Sequence, residues 1–570
     1  MPPSGRSWKT AVSAAAAVAC ISLLVVEKGL GERNAQAGYG LVVVLQTLLL
    51  LLPDRRSLSA RLLSDGWTTT VLASMAVTAG VSLAAGGGWA VPVIVETAAL
   101  LVSSGMLLRH AGRLLVRHVP AWAILPVSIA VVMAAGAALL MLPNAVESGH
   151  RLTFMDSVFT AASATCVTGL SVIDPGETLS VFGEVVMLLL IQIGGLGLMS
   201  FAAFFALFFG QRVGLKESIS ISKAMDAEFL SSLRSLIMSF MIWTFMIEAS
   251  GAILLYTTWQ SVPAMAGRSG LDLAWLAVFH SVSAFCNAGF GLLPDNIESL
   301  SSSPATCFTM GSLIVLGGLG FGTLTAMSAR VFSLIRGERG RAAPLQARLA
   351  SRMTLLLIGG SMALVMASEW SRSSFSGMTA IQKVANSFLM AVTPRTAGFD
   401  TVPIRSLSPL VQLVFVALMF IGASPGGTGG GVKTTTIGLL AHGGVSLLRH
   451  RPSPEIMHRR IPALDLQRAA VLLAAALGVC IAASAALVAS EVGQAASGCR
   501  GIFDYVFETV SAFGTVGLSL GVTPELTTTG RWIIIATMFA GRVGPATLAM
   551  LTAKPRSLDY SYPEARVGIG

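Results

Sequence analysis

The sequence predicts an all-α polytopic membrane protein, in which four pseudo-symmetric helix–pore loop–helix repeats surround a central pore and further transmembrane helices precede them. Two observations support this class. Of the 570 residues, 54% are hydrophobic and only 12% are charged, and the mean hydropathy of +0.75 is typical of membrane proteins. In addition, a phenylalanine followed ten residues later by a glycine occurs four times between long apolar stretches, as Phe159/Gly169, Phe279/Gly289, Phe388/Gly398 and Phe507/Gly517.

The apolar stretches have the length of membrane spans. A helix of about 20 residues crosses the hydrocarbon layer, and lipid offers the backbone no hydrogen-bond partners, so these stretches are predicted to be helices. They lie near residues 10–29, 37–53, 67–86, 89–108, 121–143, 182–208, 235–258, 307–329, 352–369, 408–442, 466–491 and 530–552. The glycine spacing then divides the chain into N-terminal helices without an assigned role (1–118) and four repeats (119–225, 226–345, 346–460 with a broken second helix, and 461–570 with a short tail).

The net charge of +10 is distributed as a topology signal. Lysine and arginine cluster in alternate loops, which the positive-inside rule places in the cytoplasm. This distribution predicts a multi-pass protein of the plasma (inner) membrane with both termini cytoplasmic, and it argues against nucleic-acid binding. The clusters are Arg55, Arg56 and Arg61; Arg109, Arg113 and Arg117; Arg212, Lys216 and Lys223; Arg330, Arg336, Arg339, Arg341, Arg348 and Arg352; and Arg449, Arg451, Arg459, Arg460 and Arg468.

Each repeated glycine follows a segment that is too short and too polar to span the membrane. Such a segment is predicted to be a half-helix that enters from outside, stops at the glycine and returns as extended chain. The carbonyl oxygens of the four returning segments would form rings that can replace the water shell of a monovalent cation. The C-terminal ends of the four half-helices carry partial negative charge and would also favour a cation. The alternative is that the glycines only allow close helix packing. The predicted filter residues are Val167, Thr168, Gly169, Leu170, Asn287, Ala288, Gly289, Phe290, Thr396, Ala397, Gly398, Phe399, Thr515, Val516, Gly517 and Leu518, with the ion at the carbonyls of Thr168, Gly169, Ala288, Gly289, Ala397, Gly398, Val516 and Gly517.

The segments TCVTGL, SAFCNAGFG, TPRTAGFDT and SAFGTVGLS, together with GASPGGTGGGVKTTT, resemble the Trk/Ktr/HKT superfamily of potassium transporters over roughly residues 120–555. The resemblance implies that the four glycines are filter residues and that K⁺ is the transported ion, because sodium-selective members carry serine at the first position. It also implies a homodimer seated on a cytosolic ring of nucleotide-binding regulatory subunits. The basic loops 330–352 and 449–468 are candidate docking surfaces for that ring, or topology signals alone. Coupling to Na⁺ or H⁺ stays open, and no cofactor is expected on this chain.

The third repeat is predicted to break in its second apolar stretch. Pro425 removes a helix hydrogen bond and five nearby glycines weaken the helix. Such a break is stable only where it faces a cavity, and the resemblance identifies the segment as an intramembrane gating loop. A phosphate-binding loop is disfavoured, because Val432 separates Gly431 from Lys433. The predicted gate comprises Ala423, Ser424, Pro425, Gly426, Gly427, Thr428, Gly429, Gly430, Gly431 and Arg542.

Arg542 stands where the first two repeats have Gly195 and Gly318. A cation in the middle of a membrane helix is costly and usually faces the bundle interior. Arg542 is therefore predicted to oppose a cation in the path and to hydrogen-bond carbonyls of the broken segment. The alternative is a pair with a buried acid, Glu508 or Glu248. For Glu508 itself, hydrogen bonds that hold the fourth loop are predicted rather than ion coordination.

These features together favour potassium uptake and a protein that is not an enzyme. No nucleophile–base pair, metal-ligand spacing or nucleotide-binding fold is recognisable, and the six cysteines form no CxxC pair. Three alternatives remain: a less selective Na⁺/K⁺ transporter, a channel-like subunit of an ATP-driven pump, and a polytopic membrane enzyme.

Overall fold

The computed structural model describes residues 124–197, 233–337, 343–450, 455–457, 459–491 and 501–544. The predicted N-terminal helices of segment 1–118 lie outside the described residues. Within the described part the regular secondary structure is helical, apart from one antiparallel hairpin with two residues in each strand.

The elements follow one another in a recurring order of long helix, short helix and second helix. They are α1 (Ile124–Leu140), α2 (Phe154–Cys166), α3 (Pro175–Thr178), α4 (Val181–Gly195), α5 (Leu233–Trp259), α6 (Gly270–Cys286), α7 (Pro304–Leu319), α8 (Phe321–Ile335), α9 (Leu345–Glu369), α10 (Ala380–Val392), α11 (Pro409–Phe420), α12 (Thr434–Leu448), β1 (Glu455–Ile456), β2 (Arg459–Arg460), α13 (Ala463–Glu491), α14 (Ile502–Gly514) and α15 (Thr528–Val543).

Three described helices are long and apolar enough to cross a membrane: Ser239–Trp259 within α5, then α9 and α13. The apolar run predicted as a span at 307–329 forms two helices, α7 and α8, which are bent by 105° at Gly320 as in a broken span or a re-entrant loop. Gly320 has a φ of +83°, which residues with a Cβ rarely adopt. The Phe321 N–H then donates to the Gly426 carbonyl at 3.2 Å rather than to its own helix.

The second helix of each predicted repeat starts at a capping hydroxyl. Ser180, Ser303, Ser408 and Thr527 each accept a hydrogen bond from the third residue that follows. Such caps satisfy backbone donors that the helix cannot. They therefore mark where the chain re-enters a helix after each polar connecting segment.

Polar contacts join the successive predicted repeats and close them into a ring. The Trp275 indole donates to Glu184 at 2.6 Å, and the Asn386 amide donates to the Ser301 carbonyl at 2.9 Å. Two ion pairs complete the set. Arg405 pairs with Asp504 at 3.2 Å, and Arg531 of α15 returns to Asp156 of α2 at 2.7 Å.

The phenylalanines of the repeated motif anchor the short helices in the core. Phe159, Phe279 and Phe507 are fully buried, whereas Phe388 is half-buried and lies against Gly311. Because each phenylalanine packs among other residues of the core, it fixes the position of its short helix. The glycine ten residues later is positioned by the same packing.

Candidate functional site

Each short helix leads to a left-handed residue two positions before the repeated glycine. These residues are Val167, Asn287, Thr396 and Thr515, with φ between +51° and +74°. Three of them are β-branched, and β-branched residues rarely adopt this conformation. Strain of this kind persists only where the surroundings enforce it, and it concentrates at functional sites.

Main-chain and serine hydrogen bonds hold the turns in this conformation. In the first turn, the Val167 N–H donates to the Ala164 carbonyl at 3.1 Å and the Thr168 N–H to the Ser163 carbonyl at 2.8 Å, as in a Schellman cap. The Ser163 hydroxyl also accepts from the Gly169 N–H at 3.1 Å. Ser511 accepts in the same way from the Gly517 N–H at 3.2 Å.

The third repeat reaches the same turn by a different path. Helix α10 ends at Val392, earlier than the other short helices end relative to their glycines, and Val392 replaces the serine of the other repeats. Two further turns follow, in which the Arg395 N–H donates to the Val392 carbonyl and the Ala397 N–H to the Thr393 carbonyl, both at 3.0 Å. The divergent sequence therefore changes the cap but keeps Thr396 left-handed.

The four glycines contact one another around a closed ring. Each has a φ between +73° and +94°, and a Cβ on any one of them would press against a main-chain oxygen of the next turn. The order is Gly169 on the Ala288 oxygen, Gly289 on the Ala397 oxygen, Gly398 on the Val516 oxygen, and Gly517 on the Thr168 oxygen. Only glycine fits at these four positions, and main-chain oxygens line the contacts between turns.

One oxygen of this ring has a protein donor. The Asn296 side-chain amide, from the segment that follows the second turn, donates to the Gly398 carbonyl at 3.1 Å. Nothing in the repeated motif pointed to Asn296, since no equivalent asparagine follows the other three turns at that distance.

The glycine clusters of the second helices lie against the ends of the short helices. A Cβ on Gly194, Gly317 or Gly541 would overlap the carbonyl of the residue four positions before the repeated glycine, which is Thr165, Phe285 or Phe513. These glycines thus serve close helix packing. The glycines of the four turns differ, because their neighbours are one another.

The chain is not helical between Phe420 and Thr434, and we call residues 421–433 the glycine-rich loop. The loop packs against the turns. The Gly430 N–H donates to the Thr515 hydroxyl at 2.9 Å, the Thr428 hydroxyl donates to the Phe285 carbonyl at 3.4 Å, and Gly429 lies against the Thr396 hydroxyl.

The backbone of this loop is satisfied by neighbouring protein groups. The Ser424 N–H donates to the Gly318 carbonyl at 3.0 Å and the Thr428 N–H to the Gly317 carbonyl at 3.2 Å. The Lys433 ammonium donates to the Gly429 carbonyl at 2.8 Å. Irregular backbone inside a membrane is stable only with partners of this kind.

Arg542 joins the glycine-rich loop to the first repeat. Its guanidinium donates to the Thr428 carbonyl of the loop and to the Gly194 carbonyl at the end of α4. The predicted hydrogen bond to the broken segment is therefore confirmed. The two acids named as alternative partners bind elsewhere: Glu508 accepts from Ser519 at 2.8 Å and from Thr523, and Glu248 accepts from Gln192.

The hydrogen bonds predicted for Glu508 are also confirmed. The contacts with Ser519 and Thr523 reach residues that follow Gly517, so the carboxyl holds the chain as it leaves the fourth turn.

A group of acids lies beside the segment that follows the third turn. Asp400 follows Gly398 by two residues and is half-buried. Burial raises the pKa of the Asp400 carboxyl to about 7, and the charges of Glu298 and Asp295 add to that rise. Sequence reasoning missed these acids, because two of them belong to the second repeat and approach the third turn only in the folded chain.

The helices and the closed ring of turns define an all-α membrane protein of the transporter class. Residues 99–560 match the family model of TrkH, described as a cation transport protein. The chain belongs to this family, and the resemblance found in its motifs is confirmed.

Curated relatives and a solved structure agree with this family. The chain is 36% identical to the Ktr system potassium uptake protein B of Bacillus subtilis, covering 76% of this chain and 93% of that protein. It is 32% identical to the potassium/sodium uptake protein NtpJ of Enterococcus hirae, over 76% of this chain and 94% of that protein. The fold resembles that of the potassium transporter TrkH from Vibrio parahaemolyticus, with a TM-score of 0.61, 16% identity, and coverage of 90% of this chain and 98% of that chain.

Proposed function

We propose that this chain takes up K⁺ across the plasma membrane through a carbonyl-lined selectivity filter. The closed ring of Gly169, Gly289, Gly398 and Gly517 carries the proposal, because it brings four strained turns and their main-chain oxygens to one centre. Such oxygens can replace the hydration shell of a monovalent cation. The names of the relatives support K⁺ as that cation.

The surrounding helices favour a cation at the same place. Helices α2, α6 and α14 end directly before the turns, and each helix end carries about half a negative elementary charge. The inside-negative potential supplies about 2.3 kcal/mol per charge per 100 mV, so inward flow needs no hydrolysis by this chain.

The glycine-rich loop and Arg542 form the proposed gate. The loop contacts residues Phe285, Thr396 and Thr515 around the ring, and the guanidinium holds the loop by the Thr428 carbonyl. A fixed positive charge there opposes a permeating cation. Opening then requires the loop to leave the turns and Arg542 to release a carbonyl.

A less selective Na⁺/K⁺ transporter is the second candidate, and the relative named as a potassium/sodium uptake protein favours it. Na⁺ or H⁺ as a coupling ion belongs to the same question. Both candidates use the same ring and differ in how strictly it rejects Na⁺.

Assembly as a homodimer on a cytosolic nucleotide-binding ring is also proposed. On the predicted cytoplasmic side, the side chains of Arg336, Arg352, Arg449, Arg459 and Arg460 are exposed. Exposed guanidinium groups suit acidic surfaces of a regulatory subunit. Charge reversal at Arg459 and Arg460 should weaken co-purification with such a subunit and leave membrane insertion unchanged.

Complementation tests the transport proposal. The chain should restore growth of a K⁺-uptake-deficient bacterium at low external K⁺, and assays with and without Na⁺ separate the two candidates. A chain that reaches the membrane and gives no K⁺-dependent growth, alone or with a regulatory subunit, would refute uptake.

The gate has its own test. Arg542→Ala should raise K⁺ flux per molecule, because it removes both the charge and the hold on Thr428. Unchanged or lower flux at equal membrane abundance would contradict the gate and leave the filter proposal standing.

A further inference from the structure

Glu248 is a buried carboxyl for which neither the proposed filter nor the proposed gate has a use. It lies near the middle of the long helix α5 and is 5% exposed. An acid in this position is costly and is usually retained for a specific task.

The contacts of Glu248 join three helices. The Gln192 amide of α4 donates to its two oxygens at 3.0 and 3.3 Å. The Cys286 thiol, at the end of α6, donates to the carboxyl at 3.8 Å, and the Ser281 hydroxyl donates to the Glu248 main-chain carbonyl at 2.7 Å. Among the described residues its hydrogen-bond donors are therefore neutral groups of the first and second repeats.

Both ends of this cluster reach the proposed ion path. Cys286 stands three residues before Gly289 of the second turn. Gln192 stands two residues before Gly194, whose carbonyl accepts from Arg542. A Cβ on Gly195, the residue after Gly194, would overlap the Cys286 sulfur, so α4 packs directly against the end of α6 that leads into the second turn.

We propose that Glu248 is a positioning residue that couples the filter to the gate. By holding Gln192, it sets the Gly194 carbonyl where Arg542 binds it. By holding Cys286 and the adjoining helix, it supports the second turn. This inference rests on the proposed function and goes beyond it, because it assigns one residue an effect on both gating and selectivity.

Loss of the carboxyl should therefore change two readouts together. Glu248→Ala, assayed as K⁺ and Na⁺ flux per molecule in proteoliposomes, should raise K⁺ flux by about tenfold, equivalent to about 1.4 kcal/mol, because Arg542 loses a fixed acceptor. The same variant should lower K⁺/Na⁺ discrimination, whereas Arg542→Ala should raise flux and keep discrimination.

A double variant separates the two effects. Glu248→Ala combined with Arg542→Ala should give no more flux than Arg542→Ala alone, since the released contact is already gone, yet it should show the reduced discrimination of Glu248→Ala. Additive flux would mean that Glu248 acts independently of Arg542 and would overturn the coupling.

An exchange of the two partners tests positioning directly. Glu248→Gln with Gln192→Glu keeps a carboxyl–amide pair across the same interface, and flux and discrimination should return toward those of the unaltered chain. Persistence of both defects would overturn the positioning role. If Glu248→Ala does not reach the membrane, Gln192→Leu removes the other half of the bond and carries the same two expectations.

Glu369 provides the matched control. It is also buried, but it accepts from the Ser408 N–H at 3.0 Å and from the Ser374 hydroxyl at 2.7 Å at the end of α9. Glu369→Ala should lower the amount of folded protein without raising flux per molecule. Equal increases in flux from both alanine variants would show general loosening and refute a specific role for Glu248. If Arg542→Ala itself leaves flux unchanged, the gate fails and the coupling fails with it. If Arg542→Ala raises flux but Glu248→Ala changes neither flux nor discrimination, the Glu248 inference fails and the proposed gate stands.

Discussion

Substitution of Gly169 by serine gives the sharpest test of the ring. A Cβ at Gly169 would lie 2.5 Å from the Ala288 oxygen and 3.0 Å from the Gly289 Cα. To reach ordinary contact, the oxygen must withdraw by about 0.9 Å, the difference between 3.4 Å and 2.5 Å. A new side chain at a φ of +90° adds strain as well.

The strain energy of this substitution is similar in size to the free-energy difference that changes an affinity ratio tenfold. A non-glycine residue in a sparsely populated conformation costs about 1–3 kcal/mol, and a change of about 1.4 kcal/mol is tenfold in a ratio of affinities. If the strain is relieved by moving the Ala288 oxygen, K⁺/Na⁺ discrimination should fall about tenfold. Gly169→Ala should show most of this loss, because the Cβ alone causes the overlap.

The assay is K⁺ and Na⁺ uptake by purified protein in proteoliposomes under a fixed inside-negative potential. Gly360→Ala is the control, since no atom lies within 4 Å of a Cβ at that helical position. An unaltered K⁺/Na⁺ ratio for Gly169→Ser at equal reconstitution would refute the assignment of the ring as the filter.

Three further predictions concern the outer end of the path, the loop and the ring closure. Because the raised pKa of Asp400 is about 7, the carboxyl is charged above that pH and neutral below it. Loss of this negative charge should raise the KM for K⁺ on acidification from pH 8 to 6, and a pH dependence that survives in Asp400→Asn would contradict this. Gly429→Ala should push the loop off the Thr396 hydroxyl and raise resting K⁺ flux, and an unchanged flux would show that this contact does not hold the gate. Arg531→Leu should lower the free energy of unfolding by about 1–3 kcal/mol, because it removes the largely buried contact to Asp156. Thermal unfolding in detergent measures this loss, and an unchanged midpoint would show that the contact does not stabilise the ring.

The repeated motif allowed much of the site to be located, since the helix ends and the left-handed turns depend on nearby residues. Thr153, Ser269 and Thr379 cap the starts of three short helices through their own first turns. The early end of α10 was less predictable, although the replacement of serine by Val392 was visible in the motif. The bend at Gly320 could not be read from an uninterrupted apolar run, because it depends on a contact with Gly426.

The amino-acid sequence by itself determined the membrane class, the family and the glycines around which the site is built. Hydropathy, helix caps and the backbone freedom of glycine depend only on residues close together in the sequence, so they can be recognised without the fold. Only the tertiary structure decided which oxygen faces each glycine, that Arg542 binds carbonyls rather than an acid, and that Glu248 meets Gln192. These partners stand far apart along the chain, and the packing of several helices, which no single segment encodes, brings them together.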